Sequence, residues 1–205
     1  MIPGLPIIIS CPNCGQFAKK RTIISGNTFG SQLWSDGKKI SPSLPEFPSL
    51  ALCKKCDQFF WVKEAKKVEE IHDHRELETK YGDIDYVEFL SFHQYFKALE
   101  TITAKRYIRL KIWWSHNDYC RNGHQSEITP EMQKLNTENL IVLFKILDEA
   151  DDNDLLMKAE IFRQLSWFDE SRQLLNRMSN ADLALVKEKL LVEISRQNDR
   201  VFRLF

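Results

Sequence analysis

Hydrophobic and polar residues change their spacing about one third of the way along the chain. Before Lys63 the apolar residues come in short blocks cut by glycine and proline, and beyond Gly82 they recur at helical spacing almost everywhere. The first block, Met1 to Ser10, is broken by Pro3, Gly4 and Pro6 and reads as a buried strand. Thr22-Ile-Ile-Ser25 is β-prone and stops at Gly26-Asn27. Phe29 to Trp34 then runs into Ser35-Asp36-Gly37, where Asp-Gly predicts a two-residue hairpin turn. Ser41 to Pro48 carries three prolines, which predicts an extended connection outside any sheet.

From Val62 to Lys80 the chain is dense in Lys and Glu and predicts a solvated helix or a stiff linker, broken at Tyr81-Gly82-Asp83. Val87, Leu90, Tyr95 and Leu99 fit one amphipathic helix with Asp83 or Asp85 as its N-cap. Ala104 to Ser115 predicts a second, ended by His116 to Gly123. A third opens at Thr129-Pro130-Glu131, with a break expected near Asn136 before Leu140 to Leu147. Leu155 to Leu175 reads as two helices separated at Leu165-Ser166. Ser179 to Asp182 caps a last helix with Leu183, Val186, Leu190 and Ile194 on its inner face. The fold class is α+β. Residues 1–63 form a small β domain, 64–82 a charged helix or linker, and 83–205 an α-helical domain.

Composition adds little to that division: 43% apolar and 28% charged residues suit a globular protein. No apolar run is long enough to span a membrane. Met1 to Ser10 lacks the basic start of a signal peptide, so the expected address is the cytoplasm. Charge sharpens the picture. The net charge is zero, yet residues 1–63 hold eight basic side chains against three acidic ones. That excess leaves an anionic partner open for the first domain.

Four of the five cysteines form two Cys-x-x-Cys pairs, Cys11/Cys14 and Cys53/Cys56. Two intervening residues let a tight turn aim both thiolates at one point. Gly15 and Asp57 follow the pairs, and both residue types tolerate the left-handed backbone that frees amides to face the sulfurs. Two such turns complete a tetrahedral shell with no position left for water. The expectation is one structural Zn2+ held by Cys11, Cys14, Cys53 and Cys56.

These knuckles resemble the zinc-ribbon families, although 38 residues separate the pairs where 15–20 are more usual. Gly26 to Gly37, with Pro45 and Pro48, is similar to a segment of bacterial zinc-ribbon proteins of unknown function. That likeness implies a bacterial cytoplasmic protein and brings no activity with it. Leu155 to Leu175 resembles the middle of a tetratricopeptide repeat. Ala159 takes the small position, Trp167-Phe168 the aromatic turn, and Ser166 and Ser171 stand where the family has Gly and Ala. The helical domain is either a degenerate array of such hairpins or an ordinary bundle.

No other cluster outweighs its plain structural reading. His72 and His74 sit two apart in a charged stretch and share no helical face. Cys120 and His124 make an incomplete shell, and Asp148 to Asp154 lacks the glycine and terminal Glu of a calcium loop. Trp113 to Asp118 contains His116, the one candidate acid or base. No residue is assigned to catalysis or to binding an organic cofactor. The leading expectation is a non-enzymatic zinc protein that binds another protein, using Trp34, Phe47 or Trp61 as anchors and the helical groove as a seat. A nucleic-acid-binding ribbon using Lys19-Lys20-Arg21, Lys38-Lys39 and Lys54-Lys55 is the alternative, and an enzyme with a site near His116 the third. Oligomeric state is left open.

Overall fold

A computed structural model describes all 205 residues, Met1–Phe205. In chain order the elements are β1 (Ile2–Ser10), β2 (Phe17–Ser25), β3 (Gln32–Leu33), β4 (Lys39–Ile40), β5 (Leu50–Leu52), β6 (Phe59–Trp61) and β7 (Lys66–Glu70). The helices follow: α1 (His74–Tyr81), α2 (Phe92–Thr101), α3 (Lys105–Arg121), α4 (Pro130–Ile146), α5 (Asp152–Gln164), α6 (Phe168–Arg177) and α7 (Ala184–Ser195). The α+β class holds, and no helix is long and apolar enough to cross a membrane. The chain divides into two compact units. One is Met1–Ser31 with Ile40–Ile102, and the other is Gln32–Lys39 with Thr103–Phe205.

In the first unit β1 is the central strand of an antiparallel sheet ordered β2-β1-β7. Ile8 and Ile9 of β1 are buried in its core. The pairing with β2 shifts register between Gly4 and Ile7, a stretch that includes Pro6, which has no amide hydrogen to donate. Thr22 Oγ1 donates to the Leu5 carbonyl at 2.8 Å, and a Cβ on Gly4 would lie 2.2 Å from that oxygen. Close strand approach there requires glycine.

Two expectations for this unit are corrected. Lys66–Glu70 is a strand rather than part of a solvated helix or a stiff linker, because pairing with the open edge of β1 overrides the helical preference of Lys and Glu. Only His74–Tyr81 is helical, opened by Asp73, whose carboxylate accepts from the Glu76 amide. Residues 83–90 are not helical either. The Lys19 amide donates to Asp85 O and the Val87 amide to Lys19 O, which lays this segment along β2. The helix starts at Phe92, where Ser91 and Gln94 form a reciprocal capping box.

The second unit contains the hairpin that sequence analysis assigns to the ribbon. Its loop has three residues, Ser35-Asp36-Gly37, because the Gly37 amide donates to Trp34 O while the Trp34 amide donates to Lys38 O. Gly37 takes φ +78°, the left-handed residue of a three-residue hairpin loop.

The helices pack in sequence: α3 on α4, α5 on α6, and α6 on α7. Arg106 pairs with Asp154 at the starts of α3 and α5, and Trp113 Nε1 donates to Gln164 Oε1 further along both, so these two run in the same direction. α3 extends to Arg121, beyond the expected end at Ser115. α4 runs unbroken through Asn136, with Thr129 as its cap. Asn180 caps a short 3-10 turn, Ala181–Leu183, rather than α7 itself. Between α5 and α6, Ser166 adopts φ +62°, and Ser171 Oγ donates to Ala159 O at 2.7 Å. Ala159 and Ser171 are buried where the helices meet.

The α3/α5 side of this unit is filled by the chain itself. Asp36, fully buried, accepts from the Arg121 guanidinium and from Asn117 Nδ2 at 2.8 Å, and Trp114 Nε1 donates to Asp36 O at 3.0 Å. Lys38 pairs with Asp118 at 2.6 Å. Ser35 Oγ donates to Glu160 Oε1, which also accepts from Arg163, and Arg163 donates to Arg200 O in the C-terminal segment. The expected open groove is therefore occupied along this side. Burial raises the Asp36 pKa against the opposing pull of Arg121, Asn117 and the Lys38 amide. The pair thus specifies where the hairpin sits more than it stabilises the unit. Asp36→Ala should cost about 1.5–3 kcal/mol, the worth of a charged hydrogen bond, because Arg121 loses its fully buried partner and keeps Asp118 and the Trp114 carbonyl, and Asp36→Ala/Arg121→Met should cost less than the single change. Urea denaturation of both variants checks this order.

Candidate metal centre

Both knuckles sit at the turns of β-hairpins. β1 leads into Cys11 and β2 leaves after Gln16, while β5 leads into Cys53 and β6 leaves after Gln58. The backbone repeats bond for bond. Cys11 N donates to Gln16 O at 2.8 Å and Cys53 N to Gln58 O at 3.0 Å. Gly15 N donates to Cys11 O and Asp57 N to Cys53 O, each at 2.9 Å. Gly15 takes φ +74° and Asp57 φ +54°, the left-handed conformation expected of each. An L-residue pays for that conformation unless it is of the Asn or Asp type, which accounts for the two residues found.

The four sulfurs lie within 4.8 Å of one another. Cys14 and Cys53 Sγ are 3.6 Å apart, and Cys11 and Cys56 Sγ are 3.9 Å apart. A metal with sulfur bonds of about 2.3 Å at the centre of a regular tetrahedron sets edges of about 3.8 Å. These two edges bracket that value, so the four residues could hold one metal ion. Cys11 and Cys53 are buried, Cys56 is half-buried and Cys14 is exposed. Ile9, Ala51, Phe60, Val62 and Val87 pack around the buried pair.

Electrostatics differ among the four cysteines. Burial raises the Cys11 thiol, and the Asn13 and Cys14 amides only partly oppose it. Cys53 is also penalised by burial, but the amides of Cys56 and Lys55 and the thiols of Cys14 and Cys56 bring it down to about 7. Burial and the neighbouring thiols push Cys56 up to about 12, against the Gln58 amide. Crowded sulfurs resist carrying several negative charges at once unless a cation lies among them.

The remaining sequence candidates lie elsewhere. His72 precedes α1 and His74 begins it, and both are exposed. Cys120 and His116 are in α3, in the other unit. His116 is 5% exposed, and burial lowers its pKa against the opposing pull of Asn117 and Gln133. The anchors expected on the β side need revision as well. Trp34 is half-buried in the helical unit with the Arg121 guanidinium 5.4 Å from its ring centre, and Trp61 is half-buried. In the first unit the exposed aromatics are Phe29 at 88%, Phe89 at 50% and Phe17 at 41%. Phe89 lines a cleft of about 380 Å³ with Met1, Pro3, Ile23, Phe47 and Tyr86.

One legible signal lies just outside the cysteine pairs. Both knuckles continue into Gln-Phe, so Cys-x-x-Cys-[Gly/Asp]-Gln-Phe occurs twice, at 11–17 and 53–59. The duplicated heptapeptide matches the duplicated hydrogen bonds. No family model, curated protein or solved structure matches this chain.

Proposed function

We propose that this is a non-enzymatic zinc-binding protein that acts as a protein–protein interaction module. The observation that carries the metal assignment is the set of four cysteine sulfurs within 4.8 Å of one another, two pairs of which stand at 3.6 and 3.9 Å. Zinc is the metal that such all-thiolate, four-coordinate structural sites most often take. With four protein ligands no position remains for a substrate, so the ion organises the fold and does no chemistry. The reducing cytoplasm suits a site built from free thiolates.

Two features support the interaction reading. The first unit exposes apolar side chains at its cleft: Met1 and Phe89, both at least half exposed, line it with Pro3, Ile23, Phe47 and Tyr86. Such a patch on a folded surface marks a contact site. In the second unit the paired helices, the Ala159/Ser171 approach and the parallel run of α3 and α5 support a tetratricopeptide-like array.

The nucleic-acid alternative loses its main support. The basic excess of residues 1–63 disappears at the level of the folded unit, where eleven Lys and Arg meet twelve Asp and Glu. Arg21 pairs with Glu88, Lys54 with Asp85 and Lys38 with Asp118, and Lys19 is buried with its ammonium on Gly82 O. Of the seven cations in those clusters, Lys20, Lys39 and Lys55 are the ones left for phosphates.

Untagged protein should contain one zinc per chain by elemental analysis, and Cys14→Ser or Cys56→Ser should lose it together with the fold of the first unit. Cys11 and Cys56, with their raised pKa values, hold protons at neutral pH, and zinc must displace both. Zinc affinity should therefore fall more than tenfold for each unit of acidification near neutrality, measured by competition with a chromophoric chelator. Single- or double-stranded DNA should show no retardation at low salt. Phe89→Asp should abolish capture of a protein partner while leaving zinc content and melting temperature unchanged.

A further inference from the structure

The helical unit is discontinuous. It takes residues 32–39 and 103–205, and the 63 residues between them belong to the unit that carries the cysteines. Its hairpin also lies between the two knuckles in sequence, inside the 38-residue stretch that a metal on all four sulfurs would close. Within the cysteine-bearing unit the chain on either side of the hairpin is tied together. The Ser31 and Ser41 hydroxyls are 2.7 Å apart, and the Asn27 amide donates to Ser43 O at 3.2 Å. Within the helical unit the hairpin supplies partners to groups that have no access to water. Arg121 is 1% exposed, and Glu160 and Arg163 are fully buried.

We propose that metal binding at the four cysteines controls the stability of the helical unit, through the covalent path that delivers the Asp36 turn to Arg121 and Asn117. The inference rests on the metal reading above. When the first unit is folded, the 63-residue connection is already compact and the neck of the hairpin is tied. When the metal is lost and that unit unfolds, seating the hairpin must close a loop of 63 flexible residues. The entropic cost grows as three halves of the logarithm of loop length, which for 63 residues is a factor on the order of 10² in the seating equilibrium. An unseated hairpin takes Asp36 from Arg121 and Asn117 and Ser35 from Glu160, and uncovers the sides of α3 and α5 that it packs on, so the helical unit is weakened with it. The coupling is reciprocal: a change in the hairpin seat must weaken metal binding by the same factor that metal loss weakens the seat.

Hydrogen exchange on the full chain, zinc-loaded and after removal of zinc with EDTA, reads the effect directly. Amides of α3 and α5 should exchange on the order of 10²-fold faster without zinc. Asp36→Ala, which touches no cysteine, should bind zinc at least tenfold more weakly in chelator competition. Faster exchange confined to residues 1–31 and 40–102, or an Asp36→Ala variant that binds zinc as tightly as the parent, overturns the proposal while leaving the metal centre intact. A chain that takes up no zinc at all overturns the metal reading, and the proposal with it.

Discussion

Four sulfurs held within 4.8 Å of one another are the constraint on which the first unit depends. Thiolates at that spacing repel, and protonated thiols there give up the hydration that each would have in the unfolded chain. A divalent cation bound there would turn the cluster from a cost into the strongest link in the unit. Everything nearby serves that geometry. The left-handed Gly15 and Asp57, the amides facing the sulfurs, and the small apolar core around Ile9 and Phe60 hold the two turns at the metal distance.

The helical unit is organised by a different constraint. Its buried charges, Asp36 with Arg121 and Glu160 with Arg163, are matched to one another with little access to solvent. Ion pairs of this kind add little net stability, but they penalise every arrangement in which one member is missing. They make a short hairpin and a C-terminal segment obligatory parts of a domain whose helices lie far along the chain. The α3/α5 side, which the helical pattern suggests as a partner's groove, carries these segments instead. The exposed apolar cleft of the first unit is then the better candidate for contact with another protein.

The legible parts of this chain are those with local causes. The four-cysteine cluster follows from spacing within four residues and from the residue after each pair. The α5/α6 turn follows from Ala159, Ser166 and Ser171, and the start of α4 from Thr129-Pro130. The capping box at Ser91 and Gln94 was equally local and could have replaced Asp83 or Asp85 as the N-cap. Parts with distant causes were not legible. Lys66–Glu70 is a strand only because β1 offers it an edge. Asp36 looks like a solvent-facing turn residue until Asn117 and Arg121, 81 and 85 residues away, are folded against it. The charge excess of the first 63 residues was real in sequence but was neutralised by acidic side chains from residues 64–102.

The central claim is that Cys11, Cys14, Cys53 and Cys56 together bind one zinc ion. X-ray absorption at the zinc edge of the purified full chain tests it most directly. The account predicts four sulfur neighbours at about 2.3 Å and no nitrogen or oxygen in the first shell. A shell with fewer than four sulfurs, completed by nitrogen or oxygen ligands, would contradict it.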